Sequence, residues 1–371
     1  MINLYSGVPP RRRKRLDPAS FNLPVDRLRQ GASIDRSAAR VREILIAEGR
    51  SPSVTVQINA ERLCILGGTD EAIALLKSCV DDWASGAITV SSLYDGDRVE
   101  PGETVMTVSG PYERFAHLEP LLVGILARRT RVSTNARAFV EAARPKLVMA
   151  FPARHDHWVL QPGDAFAAQI GGALTISADP PVTLPGGKGP PLSLVPPLAL
   201  RPHALIAVYG GDTLAAARAF ATHGGEEIQI VVPVDYENDA VRTALEVARA
   251  LEGRLWGVQL ATSENLVDAS IYPAMGTFDP TGVNAQLVWN VRNALDAEGL
   301  GDIKILASSG FTVERIRGFE EEGVPVDAYG IGAALLAGRT GFRAALVRLD
   351  GPLRMRAGSE ARPNPRMERV K

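Results

Sequence analysis

Small residues end two consecutive candidate strands near the carboxyl end of the chain. The run "DIKILASSGFTVERI" (302–316) places Ser309 and Gly310 where a buried strand turns into a helix, and "VDAYGIGAAL" (326–335) places Gly330 and Gly332 in the same way. Residues this small leave backbone N–H groups bare at a helix start, where negative charge is favoured. One such turn is typical of any strand-to-helix connection. Two in succession predict a phosphate-binding rim at these four residues.

Polar and titratable side chains stand at the ends of the other candidate strands. They include an arginine and several histidines, which can hold an anion, move a proton or accept a phosphoryl group. The residues are Phe151, Arg154, His155, Asp156 and His157 after "VMA", His203 in "RPHALI", Asp235 after "VVPV", and Gln259, Ser263 and Glu264 in or after "GVQLA". The spacing of His155 and His157 would also suit a pair of metal ligands, but charged surface loops share it, and we assign no metal site.

The elements that must position these residues alternate between strand and helix from residue 146 onward. Candidate strands lie at 146–151, 204–210, 227–235, 255–261, 303–310 and 326–332, and a helical pattern follows each of them. This period predicts a parallel sheet, and the number of repeats suits a closed or partly closed (β/α) barrel. The catalytic residues of such barrels lie on the loops that follow the strands.

The N-terminal part lacks this period and mixes helices with strands, which suggests an α+β module. We predict helices at 35–49, 69–86, 116–130 and 133–144, a strand at 53–60, and a hairpin around Pro101 and Gly102 at 99–115. The proline- and glycine-rich stretch 179–202 is predicted to be an ordered excursion or a mobile loop over the barrel mouth. We place the module at 1–125, the barrel with its phosphate-binding loops at 126–340, and a C-terminal tail that returns to the module at 341–371.

Composition excludes several classes of protein. The chain has 371 residues with a net charge of −1, so no general positive field would attract nucleic acid. Its apolar runs are shorter than the roughly 18 residues of a membrane span, and its N-terminus is unlike a signal peptide. Cys64 and Cys79 lack metal-ligand spacing and fit a reducing cytoplasm, which is the location we predict. The basic run at 11–15 is best explained as a solvated segment, and contact with a phosphate or a partner subunit is the alternative.

The order of the motifs resembles that of the nicotinate phosphoribosyltransferases, most closely their shorter, archaeal-like branch. The resemblance rests on "FPARHDHWVLQPGDAFAAQIGGA", "RPHALIAVYG", "VPVD", "GVQLA", "KILASSGF" and "VDAYGIGAAL". An N-terminal run, "YDGDRVEPGETVMTVSGPYERFAHLEPLLVGIL", is similar to the module shared with quinolinate phosphoribosyltransferases. The implied fold class is α/β, an irregular (β/α) barrel with an α/β sandwich N-terminal module. The implied enzyme is a homodimer that joins a pyridine carboxylate to phosphoribosyl pyrophosphate in NAD biosynthesis or salvage.

The resemblance also implies a role for each site residue. His203 would be the catalytic histidine that takes a phosphoryl group from ATP, where ATP is used. The implied substrate-binding residues are Phe151, Arg154, His155, Asp235 and Gln259, and the implied phosphate-binding residues are Ser309, Gly310, Gly330 and Gly332. Mg²⁺ would accompany phosphoribosyl pyrophosphate. The partners would be these small molecules, without nucleic acid or membrane.

Several positions depart from the family pattern. Gln259 stands in place of an arginine, Ala261 in place of an acidic residue, Phe311 in place of a glycine, and Leu200 and Ala333 in place of threonines. Losing a bidentate arginine from a dry phosphate site costs about 2–4 kcal/mol, so we expect altered handling of ATP and of phosphoribosyl pyrophosphate. Two alternatives stay open. One is a barrel that has lost catalysis, and the other is an ATP-independent, quinolinate-type enzyme whose dicarboxylate would need Arg154, His155 and Arg137.

Overall fold

The computed structural model describes residues 14–175, 198–200, 203–224, 229–251, 253–276, 278–349, 356–358 and 360–371. These residues form two compact units. The first holds the described residues up to Thr134 and from Ala337 onward, and the second holds those from Asn135 to Leu336. Within the described ranges, every helix is too short or too polar to cross a membrane.

The first unit is built on an antiparallel sheet with helices packed against it. Its elements up to the boundary are α1 (Val25–Arg29), α2 (Arg36–Ala47), β1 (Ser53–Ala60), β2 (Cys64–Ile65), α3 (Thr69–Cys79), β3 (Thr89–Ser92), β4 (Arg98–Val99), β5 (Thr104–Pro111) and the start of α4 (Glu119–Ala143). The alternation in "SVTVQINA" produces β1 and buries Val54, Val56 and Ile58. These side chains join Leu76 of α3 and Leu122 of α4 in one hydrophobic core.

Two predictions about the segment 69–115 are wrong. The hairpin at 99–115 does not form, because β4 pairs with β2 whereas β5 pairs with β1 and β3. The Gly102 N–H donates to the Ala60 carbonyl at 2.7 Å, which ties the turn to the end of β1. The helix predicted at 69–86 ends at Cys79, and a separate 3-10 turn at Trp83–Ser85 precedes the left-handed Gly86.

The helices predicted at 116–130 and 133–144 form one helix of 25 residues, α4, after a 3-10 turn at Ala116–Leu118. Near the predicted break, the Thr134 hydroxyl donates to the Thr130 carbonyl at 2.6 Å, and the Ser133 hydroxyl has its nearest acceptor, the Ile65 carbonyl, at 2.6 Å. Because both hydroxyls have partners, they do not compete with the backbone hydrogen bonds of the helix.

The second unit contains a sheet of seven strands in which every neighbouring pair is parallel. The strands are β6 (Leu147–Ala150), β7 (Leu174–Thr175), β8 (Leu198–Leu200), β9 (Gln229–Pro233), β10 (Leu255–Leu260), β11 (Lys304–Ala307) and β12 (Ala328–Ile331). The helices are α5 (Gln161–Gly171), α6 (His203–Val208), α7 (Thr213–His223), α8 (Ala240–Ala250), α9 (Ala285–Ala297) and α10 (Val313–Glu321).

The order of these strands is β7-β6-β12-β11-β10-β9-β8. It follows the chain around a ring, because β12 pairs with β6, and the two ends of the order are the consecutive strands β7 and β8. This is the order of a (β/α) barrel with one unpaired seam, whereas a doubly wound sheet reverses its strand order in the middle. The predicted fold class is confirmed.

Two segments near the predicted site differ from expectation. The run "ALIAVYG", predicted as a strand, belongs to α6, and the strand lies earlier, at Leu198–Leu200. The apolar run is not a buried strand, because most of it is exposed: Val208 is 78% and Tyr209 is 44% exposed, although Ile206 is buried. The helix predicted after β12 is only a 3-10 turn at Ala333–Leu336. The predicted excursion at 179–202 lies outside the described residues except for β8.

Two C-terminal strands complete the sheet of the first unit. Strand β13 (Phe342–Leu349) pairs antiparallel with β1, and β14 (Glu368–Arg369) pairs antiparallel with β3. The resulting five-stranded order is β13-β1-β5-β3-β14. Both edges of the N-terminal sheet are therefore covered by the end of the chain.

The basic run at 11–15 also meets the first unit, through Arg15. Its guanidinium donates to the Asp70 carboxylate at 3.0 Å and to the Leu93 carbonyl at 2.9 Å, and it lies 3.7 Å from the centre of the Tyr94 ring. The prediction of a solvated segment is wrong for this residue, because Asp70 is buried and needs a cation. Residues 11–13 lie outside the described residues.

Candidate active site

His203 and Asp235 form a polar pair at the mouth of the parallel sheet. His203 is the first residue of α6, just after β8, and Asp235 follows β9, which is the neighbour of β8. The His203 Nε2 atom lies 3.0 and 3.1 Å from the two carboxylate oxygens of Asp235. The His203 side chain is 45% exposed and that of Asp235 only 11%. The Tyr236 ring stacks near the imidazole, with 6.5 Å between ring centres.

This pairing defines what His203 can do. An ionised Asp235 accepts a hydrogen bond from Nε2–H, which fixes the ring orientation and leaves Nδ1 without the proton. A half-exposed imidazole held in this way presents Nδ1 as a base or a nucleophile. The observed strand β8 ends just before His203, whereas the predicted strand at 204–210 would have begun just after it. His203 therefore lies at the carboxyl end of a strand, where catalytic residues of such barrels are found.

The first turn of the predicted phosphate rim has an unusual backbone. Ser309 and Gly310 are consecutive left-handed residues, with φ of 74° and 65°. Thr312 caps α10, because its hydroxyl oxygen accepts from the Arg315 N–H at 3.2 Å. A Cβ atom on Gly310 would lie 2.0 Å from the Glu264 Oε1 atom. The left-handed conformation favours glycine at this position, and a Cβ atom would also displace the exposed Glu264 carboxylate.

The second turn of the rim lies against two of the predicted base-binding residues. A Cβ atom on Gly330 would lie 2.4 Å from Phe151 Cε2, and one on Gly332 would lie 2.4 Å from His155 Nε2. Strands β6 and β12 are neighbours, which brings these four residues together. The structure thus places an aromatic ring and an imidazole directly over the two glycines.

Arg154 and Gln259 have different surroundings. Arg154 is exposed and adopts a left-handed conformation with φ of 75°, in the turn that precedes His155. Gln259 is buried and its Nε2 donates to the Ser308 Oγ at 2.8 Å, and that hydroxyl donates to the Leu260 carbonyl at 3.2 Å. The amide nitrogen that replaces a family arginine is therefore engaged in linking β10 to β11.

Phe311, in place of a family glycine, belongs to an aromatic cluster behind the phosphate turn. It is 4% exposed, and its ring centre lies 5.1 Å from that of Phe319 and 5.3 Å from that of Tyr329, both edge-on. Edge-to-face contacts of this kind stabilise aromatic pairs. Phe311, which departs from the family pattern, is thus a packing residue in this chain.

Two residues that contact the Ser309–Gly310 turn, Glu264 and Arg315, were not predicted as site residues from the sequence. Glu264 was noted only as a polar residue at a strand end, and Arg315 was not considered, because it lies inside α10 rather than at a strand end. The spacing could have indicated Arg315. It follows Gly310 by five residues and lies in the first turn of α10, so its long side chain can reach the Ser309–Gly310 loop.

Comparison with known proteins gives three kinds of match. Residues 29–130 match the family described as quinolinate phosphoribosyl transferase, N-terminal domain. The chain is 24% identical over 246 residues to a nicotinate phosphoribosyltransferase of Bacillus subtilis (strain 168), which covers 66% of this chain and 45% of that relative. The chain thus spans about half the length of this relative.

Solved structures share the fold. The nicotinate-nucleotide pyrophosphorylase from Pyrococcus furiosus superposes with a TM-score of 0.73 at 25% identity, over 92% of this chain and 81% of that one. NadC from Streptococcus pyogenes gives 0.61 at 16% identity, over 91% and 99%. Human nicotinic acid phosphoribosyltransferase gives 0.58 at 18% identity, over 87% and 76%.

The chain shares its fold with solved phosphoribosyltransferases of the nicotinate and quinolinate class. Within this class, the chain is related in sequence and fold to the nicotinate phosphoribosyltransferase family, with diverged motifs.

Proposed function

We propose that this chain transfers the phosphoribosyl group of phosphoribosyl pyrophosphate to the ring nitrogen of a pyridine carboxylate, nicotinate above all, in NAD biosynthesis or salvage. The observation that carries the proposal is the His203–Asp235 pair, with its 3.0 Å contact, at the same sheet edge as the left-handed Ser309–Gly310 turn. The sequence and structural relatives support the choice of reaction.

The backbone turns are the proposed phosphate site. Ser309 and Gly310, followed by a helix, and Gly330 with Gly332 at the end of the next strand offer backbone N–H donors, and only Ser309 adds a side chain, a small hydroxyl group. The Phe151 ring, which lies over Gly330, would pack on the pyridine, and Arg154 with His155 would hold its carboxylate. These roles place the base between β6 and β12.

The reaction sets the electrostatic demand on these groups. The C1′–O bond to pyrophosphate breaks with its electron pair on the pyrophosphate, and the ring nitrogen of the base forms the new C1′–N bond. Positive charge develops on the ribose while negative charge develops on the leaving group, so fixed dipoles aimed at both are the main catalytic resource.

Magnesium belongs to the substrate in this proposal. In the described ranges, no group of three or more His, Cys, Asp or Glu side chains is arranged to hold a metal ion. Asp235 and Glu264 are the two carboxylates described above at the mouth, too few for an all-protein cage. Mg²⁺ would instead enter as the complex of phosphoribosyl pyrophosphate and neutralise the departing pyrophosphate.

ATP coupling is the variable part of the proposal. His203 would take the phosphoryl group from ATP at Nδ1, with Asp235 holding the ring. However, Leu200, Gln259, Ala261 and Ala333 lack the hydroxyls and charges of the family pattern, and the Gln259 amide is already bonded to Ser308. We therefore expect weak or absent stimulation by ATP.

An ATP-independent, quinolinate-type reaction is the second candidate. The match of residues 29–130 to a quinolinate phosphoribosyl transferase domain favours it. A dicarboxylate base needs more positive charge than nicotinate does, and Arg154 and His155 are the two basic residues proposed to hold the base.

The deciding experiment incubates the full chain with Mg²⁺, phosphoribosyl pyrophosphate and either nicotinate or quinolinate, with and without ATP. We expect mononucleotide from nicotinate, with little change in rate on adding ATP and little ADP. Robust ATP-coupled turnover would show that the departures are compensated, and product from quinolinate alone would favour the second candidate. No product from either base, together with no stabilisation by phosphoribosyl pyrophosphate in thermal unfolding, would favour the non-catalytic alternative.

A further inference from the structure

Arg315 connects two of the loops that end at the barrel mouth. Its Nη1 donates to the Gly310 carbonyl at 3.2 Å, and its Nη2 donates to the Val283 carbonyl at 2.6 Å. Gly310 lies in the turn after β11, and Val283 lies in the long connection after β10. One planar guanidinium therefore fixes the left-handed turn against its neighbouring loop, which a lysine ammonium could not do with the same geometry.

The guanidinium is held in place by aromatic rings. Its central carbon lies 4.7 Å from the centre of the Phe311 ring and 5.9 Å from that of Phe319. Contacts of a cation with ring faces at these distances are attractive. Partial burial lowers the pKa of Arg315, while the charges of Glu264 and Asp279 act in the opposite direction. The residue that replaces a family glycine, Phe311, thus serves as a platform for Arg315.

An acid and a base flank the same point beside the turn. A Cβ atom on Gly310 would lie 2.0 Å from Glu264 Oε1 and 3.2 Å from Arg315 Nη1. A carboxylate alone at this point would repel a phosphate, and the guanidinium offsets that charge. Gln259, which stands where the family has an arginine, is neutral and has its amide nitrogen bonded to Ser308.

We infer that Arg315 is a positioning residue for phosphate binding, which locks the Ser309–Gly310 turn from behind and offsets the charge of Glu264. In this arrangement the positive charge absent at position 259 is supplied from α10, behind the turn. The inference rests on the proposed function for the identity of the ligand, phosphoribosyl pyrophosphate, and on the described contacts for the role of Arg315.

The test compares Arg315→Met and Arg315→Lys with Arg317→Met, an exposed arginine on the same helix. Binding of inorganic phosphate and of phosphoribosyl pyrophosphate is measured by calorimetry on the full chain, and KM is measured for each substrate. We expect Arg315→Met to weaken both ligands by about 10- to 100-fold, as for the loss of hydrogen bonds to a charged group. The KM for nicotinate should change less than threefold, and Arg317→Met should match the parent chain.

Arg315→Lys separates positioning from charge, because lysine keeps the charge and loses the two-pronged contact. We expect it to restore only part of the affinity, and adding Glu264→Gln to Arg315→Met should restore affinity several-fold by removing the repelling charge. Arg315→Lys keeps the test valid if Arg315→Met does not fold. Unchanged phosphate affinity in a folded Arg315→Met variant would overturn the inference. If Arg315→Met does not fold, unchanged phosphate affinity in Arg315→Lys would overturn it instead.

The inference and the proposed function fail in different ways. If the parent chain makes the mononucleotide and Arg315 variants bind phosphoribosyl pyrophosphate normally, the function stands and the inference falls. If phosphate binding depends on Arg315 but no base gives product, the inference stands and the function falls. A parent chain that binds neither phosphate nor phosphoribosyl pyrophosphate would overturn both.

Discussion

At the residue scale, the Ser309–Gly310 turn, which we propose binds phosphate, has a carboxylate and a guanidinium as neighbours. The Glu264 carboxylate lies against Gly310, and the Arg315 guanidinium donates to the Gly310 carbonyl. Since the turn offers backbone donors and one serine hydroxyl, its affinity for an anion would depend on the balance of these two charged side chains. The glycine between them is the residue that keeps the space open.

Replacing Gly310 tests that space. We predict that Gly310→Val abolishes binding of inorganic phosphate while the chain stays folded, because a Cβ atom there would meet the Glu264 carboxylate at 2.0 Å. The left-handed φ of 65° adds a backbone cost of about 1–2 kcal/mol. Calorimetric titration with phosphate and urea unfolding measure the two effects separately.

Gly299 provides a matched control for this variant. It is also left-handed, with φ of 74°, but a Cβ atom added to it would have no neighbouring atom within 4 Å. Gly299→Val should show the same stability loss and normal phosphate binding. Unchanged phosphate affinity in Gly310→Val would remove this turn from the binding site.

At the scale of elements, helix α3 begins beside Asp95, a half-buried acid. The Asp95 Oδ1 accepts from the Thr69 N–H and hydroxyl, both at 2.7 Å, and its Oδ2 is buried without a hydrogen-bond partner among the described atoms. Burial, followed by the charge of Asp70, raises the pKa of Asp95 to about 7. The unfolded value is about 3.9, so between pH 4 and 7 the folded chain holds a proton that the unfolded chain releases. The contribution of Asp95 to stability therefore falls as pH rises through this window.

We predict that Asp95→Asn is more stable than the parent chain at pH 8, by about 1–2 kcal/mol. The amide carries no charge to bury, and its oxygen still accepts from Thr69. The gain should shrink as pH is lowered to 5, where the parent carboxyl is protonated in the folded state. Urea unfolding at both pH values measures the difference, with Asp82→Asn, an exposed acid, as the control. A variant that is less stable than the parent at pH 8 would contradict the raised pKa.

At the scale of the whole molecule, we propose a homodimer, and the exposed helix α2 supports this proposal. Its Val41, Ile44 and Ile46 are 39, 55 and 55% exposed, and none of its residues is buried in the single chain. Apolar side chains gathered on one exposed helix favour an interface with another copy of the chain, as in the homodimer implied by the family resemblance.

We predict a homodimer, with twice the chain mass of 39.6 kDa, by light scattering at micromolar concentration. Ile44→Glu should shift the equilibrium toward the monomer, because it would place a charge in an apolar interface. Arg40→Glu, an exposed polar position of the same helix, serves as the control. A monomeric parent chain at this concentration would contradict the proposal.

The sequence by itself determined the repeating strand-helix pattern and the positions of the small residues. The period of apolar residues is read directly from the chain. It therefore predicts the buried strands β11 and β12 and the strongly amphipathic helix α8 from local sequence alone. The left-handed turn at Ser309–Gly310 is local in the same sense, since glycine supplies the conformation.

Only the tertiary structure decided which apolar runs are buried and which side chains meet. Residues 204–210 have the composition of a strand, but most of them belong to the largely exposed helix α6. The short strand Leu198–Leu200 occupies the position in the sheet that was predicted for them. The contacts of His203 with Asp235 and of Arg315 with Val283 join residues 32 positions apart in the chain in both cases. Such contacts depend on the pairing of neighbouring strands, for which a single sequence carries no local signal. The fold class followed from periodicity, whereas the geometry of the site required the register of the sheet.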